Sequence, residues 1–383
     1  MANMMRRNEY LKQHKWAISQ GKDGYWRTYL PYESSRKMVK KMSKKEVEEI
    51  VVDFYKKMEK KQNDSEKYKF KERFQAWVKR QKICDRSDNT VYKYYTDYNR
   101  FFKNRKIEDM DIRRIDETII ISSLKEVLLE KEIPYRALTA IFGYLKGIFD
   151  KSVRDRLIDE NPCKYVDLLI LKKYCKCESN MTSTRRTVSR EEKVKLMEKI
   201  KNSSNPVRYA VALAFCTGMR VGELAALKWS DINFNENIVT IRNSEKYNRL
   251  TKEFVISTTK NEKIRIIPLT SKMREILDEN KKEAIKNGCV GEFVFMTPKG
   301  RIHGRVISDW MRNNTSTAEF EYSKSIHAIR RTINSSMRCS GVPASIAASL
   351  LGHTEKVNEE NYTYDISSME MKEKILREAS GEL

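Results

Sequence analysis

The sequence predicts a multidomain chain, mainly α with small β-sheets, in which an N-terminal three-stranded sheet plus helix is followed by a helical domain and a mixed α/β domain. Three observations carry that expectation. The 383 residues exceed what one core of ordinary size holds. The hydrophobic period changes from alternation near the N-terminus to helical spacing in the middle and to a mixture toward the end. A stretch short on large apolar residues, 172–187, separates the last two regions. The expected domains are 1–65, 66–178 and 179–383.

Residues 1–60 carry 15 Lys and Arg against 8 Asp and Glu, a net of +7. Trp16-Ala17-Ile18-Ser19-Gln20 and Tyr25-Trp26-Arg27-Thr28-Tyr29-Leu30 flank Gly21-Lys22-Asp23-Gly24, whose residues tolerate the positive φ of tight hairpins. A third short strand falls over 36–40. Ser43 suits an N-cap, and Val47, Ile50, Val51 and Phe54 recur at helical spacing, so a helix runs to about Lys60. Two readings stay open here: a generic small basic module, or a sheet that lays an aromatic and basic face, Arg27 included, on nucleic acid.

From 66 to 178 the spacing is helical. Phe74, Trp77 and Val78 share one helix, and Tyr92, Tyr95, Tyr98, Phe101 and Phe102 form a stripe in a second that reads as core. Helices over 119–129 and 137–149, and a short one before Pro162, complete a bundle. Lys93, Arg100, Lys103 and Arg105, set between the aromatics, are the candidates for phosphate contacts. Cys175 and Cys177 sit at the wrong spacing for a redox pair. Ser189-Arg190-Glu191-Glu192 has the form of a capping box and opens the last domain.

The whole chain has a formal charge of +23, from 76 Lys and Arg against 53 Asp and Glu, and such a field attracts polyanions. Hydrophobic residues at 40% are enough to build cores, so the bases sit on folded surfaces. The seven cysteines lack the paired spacings of structural zinc sites, which fits a reducing cytoplasm. No apolar run approaches the ~20 residues of a membrane span, and a cytoplasmic location is expected.

Chemistry has few candidates, since there are four histidines and no HExxH, Walker or GxGxxG pattern. Cleaving a phosphodiester without a metal requires cationic donors around the non-bridging oxygens, a nucleophile, and an acid for the leaving oxygen. The last 200 residues hold such a set in order: Thr217-Gly218-Met219-Arg220-Val221-Gly222-Glu223-Leu224, then Leu227-Lys228-Trp229-Ser230-Asp231-Ile232, then Lys260-Asn261-Glu262-Lys263-Ile264-Arg265-Ile266-Ile267-Pro268-Leu269. Ser325-Ile326-His327-Ala328-Ile329-Arg330 and Leu350-Leu351-Gly352-His353 follow, with Tyr362 nine residues after His353. Arg220 and Glu223, like His327 and Arg330, are one helical turn apart and can share a face. Taken singly, the first motif also fits an ion pair on a buried helix, and a lysine at a turn is ordinarily just solvated.

Together these motifs resemble the TGxRxxEL, KxxKxRxxPL, HxLR and LLGH boxes of the tyrosine recombinases, the phage integrase family. The resemblance is strongest over 185–365, looser over 66–178, which resembles a core-binding domain, and looser again over 14–60, which resembles the arm-binding domain of integrases from conjugative transposons and temperate phages. It implies that Arg220, His327 and Arg330 hold a scissile phosphate, Glu223 orients the site, Lys260 is the general acid with Lys263 as fallback, His353 gives support and Tyr362 is the nucleophile. Tyr364 is the rival nucleophile. Ile329 and Arg331 depart from the usual leucine and histidine, and the segment 243–253 enlarges the sheet region.

The implied activity is site-specific cutting and rejoining of duplex DNA through a 3′-phosphotyrosine and a Holliday junction, without metal, ATP or other cofactor, to integrate and excise a mobile element. Two domains would clamp the DNA. A homo-tetramer on synaptic DNA, a C-terminal helix over 366–377 exchanged between protomers, and accessory bending or excision factors are the implied partners. A DNA-binding regulator without catalysis and a type IB topoisomerase are the competing classes.

Overall fold

The computed structural model describes residues 2–32, 35–176, 183–258, 264–352, 354–362, 364, 372–373 and 376–377. The chain falls into two compact units, Met1–Cys177 and Glu178–Leu383. Among the described residues, no helix is long and apolar enough to cross a membrane.

The first unit opens with a helix the sequence did not announce, α1 (Ala2–Gln13), and then forms an antiparallel sheet in the order β1 (Ser19–Gln20), β2 (Trp26–Tyr32), β3 (Ser35–Lys41). Over 6–13 only Tyr10 and Leu11 are apolar, too few to show a period. α1 is held instead by polar contacts to α2 (Lys44–Lys67), through Arg7 to Glu48 at 2.8 Å and Tyr10 to Glu59. The hairpin turn is closed by Gly21 N–H on Tyr25 O at 2.9 Å. In β2, Thr28 and Leu30 face inward onto Val47, Val51 and Val52 of α2 and all five are buried, as strand alternation requires. The outward phase carries Arg27 and Tyr29. Ser43 accepts from Lys45 N–H at 3.2 Å at the start of α2, and the helix runs past Lys60 to Lys67 because 61–67 holds neither Gly nor Pro to stop it.

The rest of this unit packs α3 (Phe70–Ile83), α4 (Asp88–Phe101), α5 (Glu117–Glu130) and α6 (Tyr135–Arg154) around one apolar core, followed by the short α7 (Leu169–Lys172). The buried stripe of α4 is Val91, Tyr94, Tyr98 and Phe101, spaced at three and four residues. Tyr92 and Tyr95, expected in that stripe, lie about 100° off it and are 36% and 40% exposed. The short helix expected before Pro162 instead starts at it, as a 3-10 turn over Pro162–Lys164 capped by Asn161.

The second unit begins with α8 (Ser183–Arg186) and α9 (Arg190–Asn202), whose capping box joins Ser189 and Glu192 as the sequence predicts. α10 (Val207–Thr217) is central: Val207, Tyr209, Ala210, Val211, Leu213 and Ala214 are all buried, and its alanines let neighbouring helices approach. After α11 (Val221–Ala225) come β4 (Ile232–Asn233), β5 (Ile238–Ile241), β6 (Asn243–Asn248), β7 (Glu253–Thr258) and β8 (Arg265–Pro268). They form two separate antiparallel sheets, β4-β5-β8 and β6-β7. Among the described residues, the strands on either side of 259–263 therefore pair with other partners and not with each other. α12 (Ser271–Lys286), the small β9 (Met296–Thr297) and β10 (Gly300–Arg301), α13 (Gly304–Thr315), α14 (Ile326–Cys339), α15 (Ala344–Leu351) and α16 (Glu355–Tyr362) complete the unit.

Candidate active site

α10 ends on Gly218, whose φ of +63° is the left-handed cap that glycine adopts at little cost. A Cβ there would stand 2.6 Å from Leu351 Cδ2, so close approach demands glycine as well. The chain turns at once into α11 with Arg220 as its N-cap residue.

Glu223, three residues on, is 1% exposed and accepts from four donors. Its Oε1 takes Arg220 Nη1 at 2.8 Å and Arg265 Nη1 at 3.0 Å. Its Oε2 takes the Arg220 backbone N–H at 2.9 Å and Arg265 Nη2 at 2.6 Å. These four bonds fill the acceptor sites of a carboxylate and offset the loss of its hydration. Burial pushes the Glu223 carboxyl up, but the hydrogen bond and charge of Arg265, with the charges of Arg220 and Arg330, outweigh it and hold the group at about 2.

The end of α15 meets three arginines. Leu350 O accepts from Arg265 Nε at 3.0 Å, Leu351 O from Arg330 Nη2, and Gly352 O from Arg220 Nη2 at 3.0 Å. Arg330 Nη1 reaches the end of α10, on Gly218 O, at 2.7 Å. Terminal carbonyls without helical partners carry the negative end of the helix dipole, so cations are favoured there. Gly352, at φ +67°, leaves room for Arg265 Nη1, which would stand 3.0 Å from a Cβ. Arg330 is fully buried, whereas the Arg220 side chain keeps 35% of its surface.

α14 carries His327 and Arg330 one turn apart. His327 is half-buried, and its imidazole is pushed down to about 4, by burial first and then by the charges of Arg331, Arg330 and Arg220. At neutral pH it is uncharged among these cations.

α16 is fastened to α14 by a reciprocal amide pair, Asn334 Nδ2 to Asn358 Oδ1 at 3.2 Å and Asn358 Nδ2 to Asn334 Oδ1 at 2.6 Å. Tyr362 closes α16 four residues beyond Asn358. Past it, Tyr364 N–H donates to Ser335 Oγ at 3.0 Å, and the Tyr364 hydroxyl accepts from Arg186 at 3.2 Å.

The structure thus brings together Arg220, Glu223, His327 and Arg330. Lys260, Lys263 and His353 lie outside the described residues, as does most of 366–377, and Tyr362 is described by its backbone alone. Arg265, the arginine of the KxxKxRxxPL box, belongs to the cluster although the sequence reading gave it no role. The signal was its strand phase: Arg265 and Ile267 face inward while Ile266 and Pro268 face out, and a charge on the buried phase announces a partner. Among the phosphate-contact candidates, Arg27 pairs with Asp23, Lys93 with Asp97 and Tyr144, and Arg105, 12% exposed, with Glu126 and Glu130. Arg100 and Lys103 are exposed.

The phage integrase family model matches residues 186–367, the span that holds this cluster. A tyrosine recombinase XerC-like protein of Caldanaerobacter subterraneus subsp. tengcongensis is 28% identical over 312 residues, 76% of this chain and 78% of the relative. The ICEBs1 integrase of Bacillus subtilis is 26% identical over 196 residues, 49% of each chain. Among solved structures, the Tn1549 transposon integrase in complex with circular intermediate DNA aligns with a TM-score of 0.64 at 15% identity, over 80% of this chain and 99% of that one. A lambda integrase tetramer bound to a Holliday junction aligns with a TM-score of 0.57 at 16% identity, over 88% of this chain and 95% of that one. The boxes around Arg220, Arg330 and Tyr362, the convergence of their helices and these likenesses agree: residues 186–367 match the phage integrase family, and the chain resembles the tyrosine recombinases.

Proposed function

We propose that this chain cuts and rejoins duplex DNA at specific sites through a 3′-phosphotyrosine at Tyr362, integrating and excising a mobile element. The observation that carries this reading is the convergence of Arg220 and Arg330 on the ends of α10 and α15, with the neutral His327 close enough to feel both charges and α16 fastened alongside. Such an arrangement suits a phosphate with developing negative charge. Arg220, Arg330 and His327 hold the scissile phosphate, Glu223 orients Arg220, and His353 supports the same phosphate. The Tyr362 oxygen bonds to phosphorus as the bond to the 5′-oxygen breaks, and Lys260 protonates that leaving oxygen. The 5′-hydroxyl of a partner strand reverses the step to form a Holliday junction, so bond energy is conserved and neither ATP nor a metal enters.

The same reading divides the chain into an arm-type DNA-binding domain at 1–65, a core-binding domain at 66–178 and a catalytic domain at 179–383. Arg27 and the core-binding bases, Arg100 and Lys103 foremost, contact DNA. Four protomers assemble on synaptic DNA in the cytoplasm, exchange their C-terminal helices, and work with bending or excision factors. A duplex nicked near the crossover traps the covalent intermediate. Wild type and Tyr364→Phe are expected to form the adduct and Tyr362→Phe to form none. An adduct with Tyr362→Phe, or none with wild type, would overturn the proposal. Deleting 367–383 is expected to spare DNA binding and disturb junction formation.

A further inference from the structure

We propose that Arg265 is a positioning residue for strand cleavage: it locks Arg220, through Glu223, to the end of α15, so that the guanidinium of Arg220 meets the phosphate in one fixed orientation. This rests on the reading of the chain as a DNA strand-exchange enzyme and adds to it a residue with no contact to DNA.

Arg265 is 9% exposed, so its guanidinium is not presented to a ligand. All three of its nitrogens have partners that belong to the site: Nη1 and Nη2 take both oxygens of Glu223, and Nε takes Leu350 O. Two of the four donors on Glu223 come from Arg265 and two from Arg220. The carboxylate is therefore a coupler between a buried arginine and a half-exposed one. A forked pair of this kind fixes orientation as well as distance, which a point charge would not. The Arg265 backbone is held by pairing with Ile241 in the sheet, and its side chain packs against Gly352. Arg265 thus ties β8, α11 and α15 into one frame. Without it Glu223 keeps only the Arg220 contacts, and burial then favours the protonated carboxyl, which would no longer hold the Arg220 guanidinium as an anion does.

The test uses the full chain on the nicked duplex, with wild type, Arg265→Lys, Arg265→Met, Glu223→Gln and the double variant Glu223→Gln with Arg265→Met. Duplex binding, adduct rate, its pH profile and thermal melting are measured for each. Arg265→Met is expected to bind duplex within about threefold of wild type and to form adduct about 100-fold more slowly, the scale of a slightly misplaced group. Its rate should fall on acidification at a higher pH than that of wild type, because the Glu223 carboxyl titrates there. The double variant should lose that acid limb and be no slower than the worse single variant. Arg265→Lys keeps charge without the fork and is expected between the two. If Arg265→Met does not fold, Arg265→Lys carries the test, with an adduct rate at least tenfold below wild type and the acid limb moved up.

An adduct rate and pH profile unchanged in the Arg265 variants would sink this inference alone, with wild type still forming adduct. Additive losses in the double variant, in step with lost binding and melting temperature, would also sink it, leaving Arg265 as support for the fold. No adduct with wild type would overturn the strand-exchange reading and this inference with it.

Discussion

Asn334 and Asn358 face each other across α14 and α16 with both amides reciprocally bonded and neither side chain exposed. The pair sets the register of the helix that ends in Tyr362. Truncating Asn334 to alanine removes both of its amide bonds to the buried Asn358 side chain, which costs about 1–3 kcal/mol. We expect Asn334→Ala to lower the melting temperature and to slow adduct formation more than it weakens duplex binding. Equal losses in rate and binding would show that α16 keeps its place without the pair.

Glu223 governs the acid side of stability. Its folded carboxyl sits near 2 against an ordinary 4.5, so the stabilisation is complete above about pH 4.5 and is lost as pH falls through about 2. Melting in acid is expected to show this loss in wild type, and Glu223→Gln should flatten that part of the curve.

His327 acts over a higher window. Its folded value of about 4 lies below the ordinary 6.5, so the unfolded chain takes up the proton first, and stability declines as pH drops from 6.5 toward 4. His327→Asn should remove that slope, and the imidazole signals of wild type should titrate near 4. A midpoint near 6.5 would show that neither burial nor the surrounding arginines depress it.

Two glycines make a matched contrast. Gly352 has φ +67° and Arg265 against it, so Gly352→Ala is expected to cost about 1–2 kcal/mol and to slow the adduct. Gly143, inside α6 with open space around it, should instead gain about 0.5–1 kcal/mol as alanine. Thermal melting of both variants checks the pair.

Arg105 separates appearance from role. Held by Glu126 and Glu130 with little of its surface exposed, it should lose stability on change to alanine and leave duplex affinity nearly unaltered. Lys103→Ala, at an exposed lysine, should weaken duplex binding and reduce its salt dependence while melting unchanged.

How far the site could be read in advance follows from what each residue depends on. Arg220 with Glu223, and His327 with Arg330, lie three apart on helices, and their partnership is visible as spacing. Arg265 bonds residues 42 and 85 positions away, so its place in the KxxKxRxxPL box and its inward strand phase marked the position without naming its partners. The carboxylates that hold Arg105 were hidden for the same reason, since they lie 21 and 25 residues downstream. The core of α4 was legible as helical aromatics, but Tyr94 and not Tyr92 or Tyr95 faces inward, a phase error of one residue. α1 escaped because Arg7 and Tyr10 meet their partners in α2 41 and 49 residues away, which no local pattern shows.

The carbonyls at the end of α15 have a consequence for the enzyme at rest. Three guanidinium groups gathered in one place repel each other, and without a counterweight they would splay. Leu350, Leu351 and Gly352 supply partial negative charge where each group needs it and Glu223 adds a full one, so the three guanidinium groups stand together without a ligand. If Arg220 takes the scissile phosphate as proposed, that anion has only to displace a neutral peptide oxygen, Gly352 O, from one of its N–H groups.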